Sequence, residues 1–134
     1  MKKLLFENTF IQLFLWETPY IIEAFWKDAT VDMVDADFKE TIQVLWKNLA
    51  EHKPIGLLAD TRNFGFVITP DLQEWYGENI TANMGKDTKK VAMLVSLGLI
   101  EQISIKQTIE EDNKTGFQTN YFSSIEKALA WLVI

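Results

Sequence analysis

Apolar side chains recur along the chain in two rhythms, one suited to strands and one to helices. Phe10-Ile11-Gln12-Leu13-Phe14-Leu15-Trp16 is a short run of aromatic and branched residues, which predicts a strand over 10–16. Glu17-Thr18-Pro19 signals a turn, because proline fixes its own backbone angle and has no N–H for a ladder. Tyr20 to Trp26 then predicts a second strand, so the pair forms a hairpin with a short loop. Both strands are apolar at nearly every position, and both sheet faces are expected to be covered. Ile55 to Asp60, Val91 to Ser96 and Phe117 to Phe122 are three further runs of this kind.

Between these runs the spacing changes. Phe38, Ile42, Leu45, Trp46 and Leu49 fall on one stripe, predicting a helix from Ala36 to Glu51. Asp35 is the expected cap, with the neighbouring acids suited to the positive end of the helix dipole. His52 and Lys53 suit the other end, and Pro54 stops the helix. Thr69-Pro70-Asp71 predicts a second helix start, with a hydroxyl cap followed by proline at the first helical position. Leu72, Trp75, Tyr76 and Ile80 supply its stripe, and Gly77 weakens it. Gly85 to Lys90 is a basic loop. Gly98 to Asp112 fits two patterns: Ile103, Ile105 and Ile109 alternate as in a strand, while Leu99, Ile100, Ile103 and Gln107 make a looser helical stripe. Length and rhythm favour the helix. Asn113 to Gly116 is a turn, and Ser123 is the expected cap of a last helix turning Ile125, Ala128, Leu129 and Leu132 inward. Two strands followed by helix–strand alternation predict one α/β domain over residues 1–134, its mixed sheet flanked by four helices.

Composition narrows the chemistry. The chain has 134 residues, 48% of them hydrophobic and 24% charged, which suits one soluble domain with an ordinary core. It has no cysteine and one histidine, so thiolate nucleophiles, disulfides and Cys-based or two-histidine metal sites are excluded within the chain. Thirteen basic against nineteen acidic residues give a net charge of -6, the wrong sign for gripping nucleic acid or anionic lipid. Glu7 and Asn8 interrupt the N-terminal apolar run before an export signal could form. Phe10 to Trp26 is too broken by polar residues to span a bilayer, which takes about 20 apolar residues. A cytoplasmic domain without membrane insertion, metal or cofactor is expected.

Gly56-Leu57-Leu58-Ala59-Asp60-Thr61-Arg62, Ile68-Thr69-Pro70 and Gln73-Glu74-Trp75 together resemble the STAS/SEC14-type, SpoIIAA-like proteins of bacteria. Lys89-Lys90-Val91-Ala92, Tyr121-Phe122, Ala128 and Trp131-Leu132 match the later part of the same pattern, so the likeness runs from Phe10 to Leu132. It implies a sheet of four or five strands flanked by helices. STAS domains more broadly bind protein partners, and some are switched by phosphorylation at the start of their second helix. Anti-sigma antagonists place Asp-Ser-Ser-Gly there, where this chain has Ile68-Thr69-Pro70-Asp71, so Thr69 is read as a plain helix cap.

Asp60, Arg62 and Thr69 are expected at the exit of the central strands, the edge where open α/β sheets tend to bind ligands. Arg62 is the sole arginine, and its planar guanidinium suits a carboxylate or phosphate. The simpler reading pairs Arg62 with Asp60 and fixes the loop. Phe64, Phe66, Trp75 and Tyr76 lie around the same loop and helix, as a partner patch or as core, with Tyr76 the better candidate for exposure. His52 at a helix end, the Glu110-Glu111-Asp112 turn and the Lys86, Lys89, Lys90 loop have no partners that would make them catalytic. No phosphate-cradling glycine loop is present. The expectation is a non-enzymatic, STAS-like protein-binding or regulatory module; the alternative is a small carrier of an apolar, lipid-like ligand. A homodimer is slightly favoured, because the first hairpin strand needs its edge covered, either by residues 1–8 or by a second copy.

Overall fold

The structure is a computed structural model describing residues 2–83, 87–96 and 117–134. Among the described residues the sheet has six strands in sequential order: β1 (Lys2–Glu7), β2 (Ile11–Trp16), β3 (Ile21–Trp26), β4 (Gly56–Asp60), β5 (Lys90–Leu94) and β6 (Gln118–Phe122). The first three form an antiparallel meander, and β3 to β6 pair in parallel. The mixed α/β class is as expected, but the strand count rises from four or five to six. The addition is β1, which pairs along β2 from Lys2–Trp16 to Glu7–Gln12, with a bulge between Leu4 and Phe6. An outer strand buries little, so its short apolar centre suffices.

Helix α1 (Asp35–His52) links β3 to β4, and α2 (Pro70–Asn83) links β4 to β5. Helix α3 (Ile125–Leu132) follows β6. These three, with a 3₁₀ turn over Asp28–Asp32, are the helices among the described residues; the fourth, expected over Gly98 to Asp112, lies outside them. The whole predicted stripe of α1 is buried, and it joins Leu72 and Ile80 of α2 over Ile11, Leu13, Ile22, Ala24 and Leu57 of the sheet. On the opposite face, Ala128 and Leu132 of α3 cover Ile21, Leu58, Ala92 and Leu94. Strand alternation alone divides these residues: Leu57 and Ala59 point to one layer, Leu58 to the other.

Two caps differ from expectation by one residue. The N-cap of α1 is Val34, not Asp35, and the Asp37 carboxylate accepts its backbone N–H at 3.2 Å. The cap of α3 is Ser124, not Ser123; its hydroxyl accepts from the Lys127 N–H at 3.4 Å. In each case the position where the chain turns helical sets the cap, and an acid or hydroxyl one residue away cannot reach the same N–H groups. Thr69 does cap α2, accepting from the Leu72 N–H at 3.4 Å, with Pro70 at the first position. Lys53 ends α1 in the left-handed region at φ 52°, its N–H donating to the Leu49 carbonyl.

Outer strand β1 is held at its end by side chains. The Asn8 carboxamide accepts the N–H groups of Phe10 and Ile11, closing the turn into β2. Lys27 Nζ donates to Glu7 Oε2 at 2.7 Å and to the Asn8 carbonyl at 2.9 Å. The Lys27 hydrogen bond, followed by that from Gln12, holds the Glu7 carboxyl below its ordinary value of 4.5. A depressed carboxylate contributes above its unfolded pKa, and the contribution is lost as pH falls through the folded one. Amide exchange at Leu5 to Glu7 is therefore expected to quicken, relative to Ile22 to Ala24, as the pH falls below the ordinary carboxylate value and Glu7 takes up its proton. A Lys27→Met variant should lack that step; retention of the step would assign it to other groups.

Candidate functional site

The parallel strands and the two linking helices put the C-terminal ends of β3 and β4 and the N-termini of α1 and α2 on one rim. The loop from Thr61 to Thr69 crosses this rim. Thr61 ties it to β5, its N–H and its hydroxyl both donating to the Leu94 carbonyl. Thr30, fully buried in the 3₁₀ turn, accepts the Gly65 N–H at 2.8 Å and donates to the Lys27 carbonyl. Gly65 packs closely against Val31, and a side chain here would need Val31 to give by a few tenths of an ångström. A Cβ at this position would stand 3.2 Å from the Val31 Cβ and 3.4 Å from the Val31 backbone.

Of the residues singled out from sequence, Asp60 and Arg62 do pair. Arg62 Nε donates to Asp60 Oδ1 at 3.0 Å, a terminal guanidinium nitrogen to Oδ2 at 2.9 Å, and the Arg62 backbone N–H to Oδ1 at 3.2 Å. This is the planar two-pronged geometry that arginine makes with carboxylates. Asp60 is 3% exposed, whereas the Arg62 side chain is 46% exposed. The Asp60 hydrogen bonds raise the Arg62 pKa above its ordinary value; burial works against this, and the charges of Asp60 and Glu23 add to it. The fork fixes the loop's departure from β4 and leaves the guanidinium largely neutralised.

Phe64, Phe66, Trp75 and Tyr76 belong to one continuous run of rings. Trp26 meets Phe64 edge-on at 5.1 Å, Phe64 meets Phe66 at 6.3 Å, and Phe66 stacks on Phe38 at 5.3 Å. From Phe38 the run passes to Trp75, then to Trp46 and Tyr76, the last two steps at 5.5 Å. Such pairs contribute about 0.5–1.5 kcal/mol each beyond area burial. Tyr76 is half-buried against Trp46 rather than exposed, because the stripe of α2 turns it toward α1. Lys39 Nζ lies 5.5 Å from the Trp75 ring centre, a cation over one ring of the run.

Asp60 and Arg62 meet at the end of β4 with Thr69 on the same rim, but the Asp60 side chain and the rings lie on different faces of the sheet. Asp60 alternates onto the Leu58 face of the sheet, whereas the rings pack with the α1–α2 layer. Thr69 lies at the rim, its hydroxyl engaged in the cap. Sequence reasoning also missed Glu23, which is 5% exposed and accepts both Trp16 Nε1 and Lys2 Nζ at 3.0 Å. A lone acid within an apolar strand was the available signal; strand register supplies its partners. Among the described residues no three His, Asp or Glu side chains gather as metal ligands, and no helix is long and apolar enough to cross a membrane.

With this geometry in place, the model of the SpoIIAA-like family matches residues 21–133. The chain belongs to the SpoIIAA-like family. The match begins at β3, so the first two strands lie outside it, while the rim, the arginine fork and the run of rings lie within it. No curated protein and no solved structure matches the chain. As a SpoIIAA-like domain it is compatible with regulation through contacts with other proteins.

Proposed function

We propose that this SpoIIAA-like domain is a cytoplasmic, non-enzymatic module that docks a protein partner on the rim formed by loop 61–69 and the starts of α1 and α2. One observation carries the reading: a loop pinned by hydrogen bonds turns apolar side chains outward. Val67 is 80% exposed, and Val31, against Gly65, is 67% exposed. Exposed apolar side chains brought to one rim support an interaction site there. A loop already held in place loses little conformational freedom on binding. The alternative, an enclosed apolar ligand, has less support, because the chain's own rings fill the seam between α1 and α2.

A photo-crosslinking amino acid at Val67, with a second chain carrying it at exposed Lys53 at the far end of α1, tests the reading in cell extract. Discrete adducts from position 67 that are absent from position 53 are expected. Equal labelling from both positions, or none from 67, would overturn the assignment of this rim.

A further inference from the structure

We infer that the rim's partner is a cationic amphipathic segment, one presenting apolar side chains flanked by lysine or arginine. This inference rests on the protein-docking reading above and adds the partner's chemistry. The apolar part of the surface is Val31, Val34 and Val67, respectively 67%, 59% and 80% exposed. Val31 lies against Gly65 of the loop. Val34 precedes Phe38 by one helical turn, and Phe38 stacks on Phe66 beside Val67. Val31 thus borders the loop backbone, while Val34 and Val67 adjoin the two residues of the Phe38–Phe66 stack.

Charge decides what can cover them. Asp28, Asp32, Asp35 and Asp71 are all exposed on this rim, and none enters an ion pair among the described residues. Of the neighbouring cations, Lys27 pairs with Glu7, Arg62 pairs with Asp60 and Lys39 lies over the Trp75 ring, so the exposed aspartates still outnumber the cations beside them. The whole chain carries -6. An acidic fringe around an apolar centre attracts a positive partner and repels a negative one, setting encounter rate and selectivity more than raw affinity. It also disfavours a second copy of this chain, which would bring the same acids face to face in a symmetric pair. Anionic membranes and nucleic acid are disfavoured for the same reason. A segment with apolar residues at helical spacing and basic flanks meets both requirements, as in helix-on-groove recognition.

The test is an amide-shift titration of the full chain with three synthetic 14-residue helical peptides. Each has the same leucine stripe, with lysine, glutamate or glutamine at every other position. The lysine peptide should shift Val31, Val34, Gly65 and Val67 saturably, and the glutamate peptide should not. Raising the salt from about 0.05 M to 0.5 M should weaken the lysine peptide about tenfold, because exposed charges are screened. Asp32→Lys with Asp35→Lys, both on the surface, should reverse the preference toward the glutamate peptide while leaving shifts elsewhere unchanged. Equal binding of all three peptides would overturn the charge inference yet leave the rim as a docking face. Lysine-peptide shifts spread over other acidic surface, no binding at all, or rim shifts that follow protein concentration without peptide would each overturn the inference. Failure of the docking reading is recognised separately, by the absence of position-67 adducts in extract.

Discussion

Replacing Trp46 with alanine is expected to destabilise the domain by about 3–5 kcal/mol, the usual range for emptying a buried aromatic position. Trp46 is 3% exposed on the inward stripe of α1, and both Trp75 and Tyr76 rest on it. Its removal leaves a cavity between two helices that are each held by the sheet, so neither can close the gap by moving freely. Domains of this size are stable by about 5–15 kcal/mol, so the loss is a large share of the total. The melting temperature should fall by roughly 10–20 °C. Trp75→Ala removes a half-buried ring from the same stack and should cost about 1–3 kcal/mol, since much of that surface already meets water. Paired urea titrations of the two variants decide the matter. Equal losses would mean that the stack is loaded evenly and that Trp46 is not its inner support.

What sequence made legible here was periodic or local. The α1 stripe from Phe38 to Leu49 came from a 3.6-residue period that only one burial geometry satisfies. The Thr69-Pro70 start needed no tertiary information, because cap and proline act within one turn. The pairing of Asp60 with Arg62 spans two residues and was the simpler of two readings. Contacts fixed by strand register could not be read. Glu23 meets Lys2 only because β1 and β3 flank β2, which places residues 21 apart in sequence side by side. The bond between Thr30 and Gly65 spans 35 residues and depends on both lying at the same sheet edge. The split of the candidate site follows from alternation at one position: Asp60 points away from the rings because Ala59 points toward them. The outward turn of Val31, Val34 and Val67 was hidden for a related reason, since an apolar residue in a loop carries no period that separates core from surface.

Removing residues 1–8 is expected to convert the chain into a self-associating species, because the edge of β2 is then left open. In the full chain β1 pairs along that edge, so the covering role does not require a second copy. The strand also contributes side chains. Leu5 and Phe6 pack against the α1–α2 side core, and Lys2 lies 4.4 Å from the Phe14 ring centre while donating to Glu23. Its loss should cost about 2–4 kcal/mol from partly buried apolar surface and hydrogen bonds. It also exposes a ladder flanked by Ile11, Leu13, Phe14 and Leu15, a row suited to pairing with another copy. Light scattering should report a constant mass near 15.5 kDa for the full chain and a mass rising with concentration for the truncated one. Gln12→Lys in the truncated chain should restore the monomer, since a lysine on an edge strand opposes edge-to-edge pairing. A truncated chain that stays folded and monomeric would show that β2 needs no cover. A full chain that already doubles in mass would place a dimer interface elsewhere, because β1 occupies this edge.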